Sequence, residues 1–102
     1  MAKTKNKPYY SLSGIQALVK SGERFITHAA MIDGSYIDFS VDDIYSTVLA
    51  LKESDFYKSM QSNHNPLLWH DVYHHKHRTT EIKLYIKLQI KARAVVISFK
   101  EL

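Results

Sequence analysis

The chain contains no cysteine, which rules out disulfides, thiolate zinc sites and a cysteine nucleophile, and leaves any metal to His, Asp or Glu. Glycine occurs three times and proline twice, too sparsely for a phosphate-cradling glycine-rich loop, and neither a GxSxG elbow nor an HExxH pattern is present. The longest uninterrupted apolar runs, Val48 to Leu51 and Ala94 to Ile97, fall far short of the roughly 20 residues of a membrane span. The basic start MAKTKNKPYY leads into no apolar h-region, so it does not read as a signal peptide, and a soluble, cytoplasmic protein is expected. A length of 102 residues accommodates one domain and one modest core. No repeat, heptad or low-complexity segment is visible.

Acidic residues are scarce in one half only. Residues 1 to 55 carry six Lys/Arg against seven Asp/Glu, whereas residues 56 to 102 carry eight against three, together with five of the six histidines. An anionic partner therefore belongs to the C-terminal half.

Residues 1 to 10 show no helix or strand period and read as a loose basic arm; residues 11 to 102 form the domain. Ser13 and Gln16 have capping-box spacing, Ile15, Leu18 and Val19 form a helical stripe, and Gly22 is placed to end that helix. After an extended piece near Phe25, Thr27 caps a second short helix from His28 to Ile32, interrupted by Asp33-Gly34. Ser40 and Asp43 cap a third, with Val41, Ile44, Tyr45, Val48 and Leu51 on one face, and Ser54 or Asp55 caps one further turn, Phe56 to Met60. Beyond the loop at Asn63 to Pro66 the period becomes two. Leu67 to His74 reads as a strand; Glu81 to Lys91 alternates completely, with Ile82, Leu84, Ile86, Leu88 and Ile90 on one side; Arg93 to Phe99 follows with Val95, Ile97 and Phe99 inward. Helices first and strands after predict an α+β domain, with N-terminal helices on one face of a C-terminal antiparallel sheet and the other face open and basic.

Three groups stand outside the core pattern. On a helical turn Lys58 points away from Phe56 and Met60, available to a ligand or simply solvated. Tyr85 lies on the polar side of the longest strand between Lys83 and Lys87, where a tyrosine stacks a base or donates to a phosphate, or is merely a favourable strand residue with a wet hydroxyl. Within WHDVYHHKHR, His70 and His74 sit roughly 13 Å apart along a strand, which counts against joint chelation, and no metal or other cofactor is expected; His74, His75 and His77 form a denser set able to bind transition metals adventitiously. His70, next to the Tyr85 strand, has the side chain that titrates nearest neutrality, although a hydrogen-bonded sheet histidine is the plainer reading. Cutting RNA without metal requires a base for the ribose 2′-OH, an acid for the leaving 5′ oxygen and a cation for the phosphate. Lys58, His70 and Tyr85 are of those chemical types, with Lys83, Lys87 and Arg78 to hold the RNA backbone. A non-catalytic nucleic-acid-binding module on the same face is the alternative, and a protein-interaction domain with an acidic partner a third.

The runs LKESDFYKSM, WHDVY and VVISFKEL, with SLSGIQALVKSG upstream, closely resemble the MqsR family of bacterial toxins over nearly the whole domain. The resemblance implies a RelE-like α+β fold and a ribosome-independent mRNA interferase that cleaves at GCU-like triplets. It implies neutralisation by an MqsA-like antitoxin, a zinc-containing helix-turn-helix protein through which alone operator DNA would be met. Position by position, the family's catalytic lysine falls on Lys58 and the tyrosine of its penultimate strand on Tyr85. The position after the motif tryptophan is His70 here, whereas one family member has glutamine there, a side chain that orients but does not titrate.

Overall fold

The computed structural model describes residues 3–102. Three helices, α1 (Leu12–Ser21), α2 (His28–Ser35) and α3 (Val41–Ala50), pack against a six-stranded sheet. Its strands are β1 (Thr4–Lys5), β2 (Arg24–Ile26), β3 (Phe56–Gln61), β4 (Trp69–Lys76), β5 (Lys83–Lys91) and β6 (Arg93–Glu101), in the order β1-β3-β4-β5-β6-β2. All neighbours are antiparallel except β2, which runs parallel to β6. The α+β architecture, helices first, is the one the sequence predicts. Among the described residues, no helix is long and apolar enough to cross a membrane.

The core lies between the helices and one sheet face. Ile15 and Val19 of α1, Ile44 and Val48 of α3, and Tyr73, Leu84, Ile86, Leu88, Val96 and Phe99 of the sheet are all buried there. Each large aliphatic side chain taken from water contributes about 1.5–3 kcal/mol, which drives this pairing of stripes. Gly22 ends α1 in the left-handed conformation (φ 86°), and the Ser40–Asp43 capping box closes on α3 as expected.

Other local expectations are corrected. α1 is capped by Ser11, whose hydroxyl accepts from the Gly14 amide, whereas Gln16 reaches across to α3 and donates to the Val48, Leu49 and Leu51 carbonyls at 3.0–3.2 Å. These carbonyls lie at the C-terminal end of α3, where the helical ladder runs out of amide donors and only Val48 accepts locally, from the Leu51 amide at 3.3 Å, so the long-range bond takes precedence over a local box. Thr27 caps α2, but the helix runs through Asp33-Gly34 to Ser35. Gly34 lies under α3, where a Cβ would come within 2.8 Å of the Ile44 Cδ1, so close helix packing and not a turn explains this glycine. Val41 is 40% exposed, off the buried face.

Two β-bulges overturn simple alternation. In β6, Lys87 pairs with Ser98 but Leu88 pairs with Val96, leaving Ile97 as the extra residue. Ala94, Val96 and Phe99 therefore face the core, and Val95 and Ile97, expected inward, stand half-buried on the other side. The segment Phe56 to Met60 is a strand, not a helical turn; a 3-10 turn over Glu53–Asp55 precedes it. Phe56 opposes Tyr73 while Lys58 opposes Val72, so Tyr57 is the extra residue of the second bulge. Both bulges enlarge the set of side chains facing away from the helices.

Residues 3–10, expected as a loose arm, are tied down. Thr4 and Lys5 pair with Met60 and Ser59. Tyr9 and Tyr10 donate their amides to the two carboxylate oxygens of the buried Asp71 at 3.0 and 2.8 Å, and the Tyr10 hydroxyl donates to the Trp69 carbonyl at 2.8 Å. The Tyr9 and Trp69 rings stack at 5.5 Å, with Lys5 Nζ 4.5 Å from the Trp69 centroid.

Candidate functional site

Pairing register places three rows of side chains on the sheet face remote from the helices. The first contains His74, Tyr85 and Lys100, with Tyr57 added by the β3 bulge; the second contains Lys58, Val72, Lys87 and Ser98. The third starts at Met60 and His70. Successive rows are two residues apart, about 6.8 Å along each strand.

Aromatic rings and ammonium groups alternate across this surface. Tyr57 stacks on His74 with centroids 4.1 Å apart, and His74 lies 6.0 Å from Tyr85. Lys100 Nζ stands 5.2 Å and Lys87 Nζ 6.0 Å from the Tyr85 ring centroid, and Lys58 Nζ 5.5 Å from that of Tyr57. Three ammonium groups thus surround an aromatic row, with Val72, fully buried, beneath them. Burial, then the nearby charges of Lys100 and Lys58, lowers the Lys87 pKa. Burial, and secondarily Tyr57, raises that of Tyr85, so its hydroxyl keeps its proton. His70 is lowered, first by burial and next by Lys87, against opposing contributions from Gln89 and Asp71; its imidazole is neutral at pH 7.

Comparison with known proteins bears on what such a face does. A family model described as "Motility quorum-sensing regulator, toxin of MqsA" matches residues 7–101. The chain belongs to the MqsR toxin family. It is 31% identical over 97 residues to the mRNA interferase toxin MqsR of Escherichia coli (strain K12), covering 95% of this chain and 97% of that protein.

In this MqsR-family chain Lys58, His70 and Tyr85 come from three adjacent strands onto one face, with Lys58 in the row between the other two. Lys87 joins them, and Lys83 lies at the exposed start of β5 on the same side. Arg78 does not: it lines a separate cleft of about 500 Å³ against α3, with Asp43, Thr47 and His77. The histidine cluster also divides. His74 faces the site, whereas His75 bonds Asp55 on the helical side through Nδ1 and Oδ2, 2.9 Å apart. That contact ties β4 to the turn that launches the β3 bulge. The neighbours of His70, Trp69 and Asp71, are gripped from the other face by Tyr9 and Tyr10, so the N-terminal segment pins the backbone that carries it.

Sequence reading missed Tyr57 and Lys100 as partners of this face, and put His74 on the strand face of His70 without a role in the site. Lys100 was detectable, since it follows the last inward residue, Phe99, at alternating phase. Tyr57 was not, because only a bulge puts it beside Lys58.

Proposed function

We propose that this protein is an endoribonuclease toxin that cuts messenger RNA by attack of the ribose 2′-OH, without metal and without the ribosome. The observation that carries the reading is the convergence of Lys87 and Lys100 on Tyr85, and of Lys58 on the adjoining Tyr57, on an open sheet face of an MqsR-family chain. A phosphodiester seated on the Lys58–Lys87 row has His70 on one side and Tyr85 on the other, the arrangement that in-line displacement needs. Lys58 and its neighbours neutralise charge on the crowded phosphorus. Tyr85, held protonated, donates to the departing 5′ oxygen and is reprotonated from water. Neutral His70 accepts a hydrogen bond from the 2′-OH and aligns it. The 2′-OH proton passes to water as the O2′–P bond forms and the P–O5′ bond breaks. Tyr57 and His74 stack a base, and Lys83 holds a phosphate beyond. The family description and the relative's name further support an MqsA-like antitoxin partner and action on mRNA; cytoplasmic action and GCU-like cleavage sites belong to the same proposal.

Purified protein and a synthetic RNA carrying many triplets, incubated in excess chelator and sequenced at both new ends, test this. Cleavage leaving 2′,3′-cyclic phosphate and 5′-OH is expected. Abolition of cutting by the chelator would move the chemistry to a metal, and intact RNA retained by the protein would make it a binding module.

His70 makes a second test. Its pKa lies below the ordinary 6.5, so kcat/KM is expected to be flat through neutrality and to fall only as the pH drops below about 6.5, where protonation turns the acceptor into a donor. Because glutamine also accepts, His70→Gln should stay within a few-fold of wild type and lose that acid limb, whereas His70→Ala should cost on the order of 100-fold. A dead His70→Gln that binds RNA normally would show that the imidazole itself transfers the proton.

A further inference from the structure

The third row of the open face continues past His70. Gln89 lies next to it on β5, Val95 pairs with Gln89 on β6, and Phe25 pairs with Val95 on β2. The row ends in a cleft of about 490 Å³ floored by Gln89, Val95 and Ile97, walled by Phe25 and Leu68, and rimmed by Lys91 and Arg93. Ile97 reaches it through the β6 bulge, and the Thr27 hydroxyl, donating to the Ile97 carbonyl at 2.8 Å, fastens β2 and α2 to that bulge. The Arg24 guanidinium, 4.0 Å over the Tyr45 ring, holds the start of β2 against α3. The cleft is therefore a fixed feature of the sheet.

Its chemistry is specific in kind. Phe25 is 50% exposed and presents a large aromatic surface on an edge strand, while Gln89 is 4% exposed, a nearly buried amide on what is otherwise the polar side of β5. An apolar wall with one amide at its floor matches a flat heterocycle whose faces stack and whose edge hydrogen-bonds. Lys91 and Arg93 at the rim, with no carboxylate among the lining residues, complement phosphates on either side. Gln89 also interacts with His70, one row from Lys58, so the cleft is continuous with the site.

We propose that this cleft is a nucleobase subsite: Phe25 stacks an unpaired base of the substrate strand, and Gln89 reads its edge and sets the sequence preference of cleavage. The assignment rests on the RNA-cleaving reading and adds the side chains that select the cut.

The test uses the full chain and a randomised RNA library, with cut sites sequenced, plus binding of a 2′-deoxy-substituted, uncleavable oligonucleotide. Phe25→Ala is expected to raise KM and weaken oligonucleotide binding about tenfold with kcat within about twofold, and Phe25→Trp to restore both. Gln89→Leu should flatten the preference at one position relative to the cut, leaving the others intact. Tyr36→Ala, which removes an exposed aromatic after α2, controls for general loss of aromatic surface and should change nothing. Wild-type cleavage with an unaltered site profile and KM in both cleft variants would overturn the subsite and leave the nuclease standing. If the wild type binds RNA without cutting it, weakened binding by Phe25→Ala alone still supports the subsite and the nuclease reading falls. A wild type that neither cuts nor binds RNA would sink both.

Discussion

A single deoxyribose immediately 5′ to the cut is expected to abolish cleavage at that position, while the substituted RNA remains bound within several-fold of the all-ribose strand. The two outcomes separate because in the proposed mechanism the 2′-OH is the nucleophile but only a minor part of recognition. On that reading the ammonium groups of Lys58, Lys87 and Lys100 and the rings of Tyr57, His74 and Tyr85 engage phosphates and bases, which the substitution leaves unchanged. Its loss removes one hydrogen bond, worth about 1 kcal/mol, from a multi-contact interface. Without that hydroxyl the phosphorus has no internal nucleophile, and the effective molarity of an adjacent group is gone. Gel analysis of an RNA with two equivalent sites, one substituted, provides the comparison within one lane: the unmodified site is cut and the other is not. Continued cutting at the deoxy position would show that water attacks, and that a group other than His70 must activate it.

Lys58→Ala is expected to lower kcat by about 10²–10³-fold with a smaller effect on RNA affinity. Lys58 shares its row with Lys87, above buried Val72, and in the proposed mechanism its ammonium stands where charge builds in the transition state. Lys87 does not replace it, because it stands on β5, across Val72 from the Lys58 strand. Removing Lys58 leaves Lys87 and Lys100 beside Tyr85, retaining positive charge on the face and therefore much of the ground-state binding. A salt titration with uncleavable RNA should show the log–log slope falling by about 0.7, the loss of one neutralised phosphate on a single strand. Lys58→Arg, keeping charge but spreading it over a planar fork, should recover part of the rate. A Lys58→Ala protein that cuts at near wild-type rate would remove this row from the reaction and transfer the chemistry to the His74–Tyr85 row.

The strict alternation of Ile82 to Ile90 determined by itself that β5 presents one face to a core and the other to solvent, because side chains on a strand alternate at every residue. Ser40 with Asp43, Thr27 and Gly22 marked helix ends correctly for the same kind of reason: a cap acts within four residues of itself, and such signals are contained in a short window. The family runs also singled out Lys58 and Tyr85, which the fold brings to one face, although the helical turn drawn around Lys58 was wrong. There Asp55, read as a cap for Phe56 to Met60, instead accepts from the Lys52 amide and the His75 ring. Pairing with β4 on one side and β1 on the other then draws the segment into the sheet. Those partners lie outside any local window, and the ladder hydrogen bonds they supply outweigh the small helical preference of a five-residue stretch. Tertiary pairing likewise decided both bulges. Strict alternation through Phe56, Tyr57 and Lys58 would turn Lys58 inward with Phe56; the extra residue at Tyr57 allows Phe56 to meet Tyr73 in the core while Tyr57 and Lys58 both face out. The surplus residue at Ile97 does the same in β6, seating both Val96 and Phe99 in the core. A bulge forms where two strands of unequal residue count must bury their apolar sets against the same helices, and that count exists only once the strands are paired.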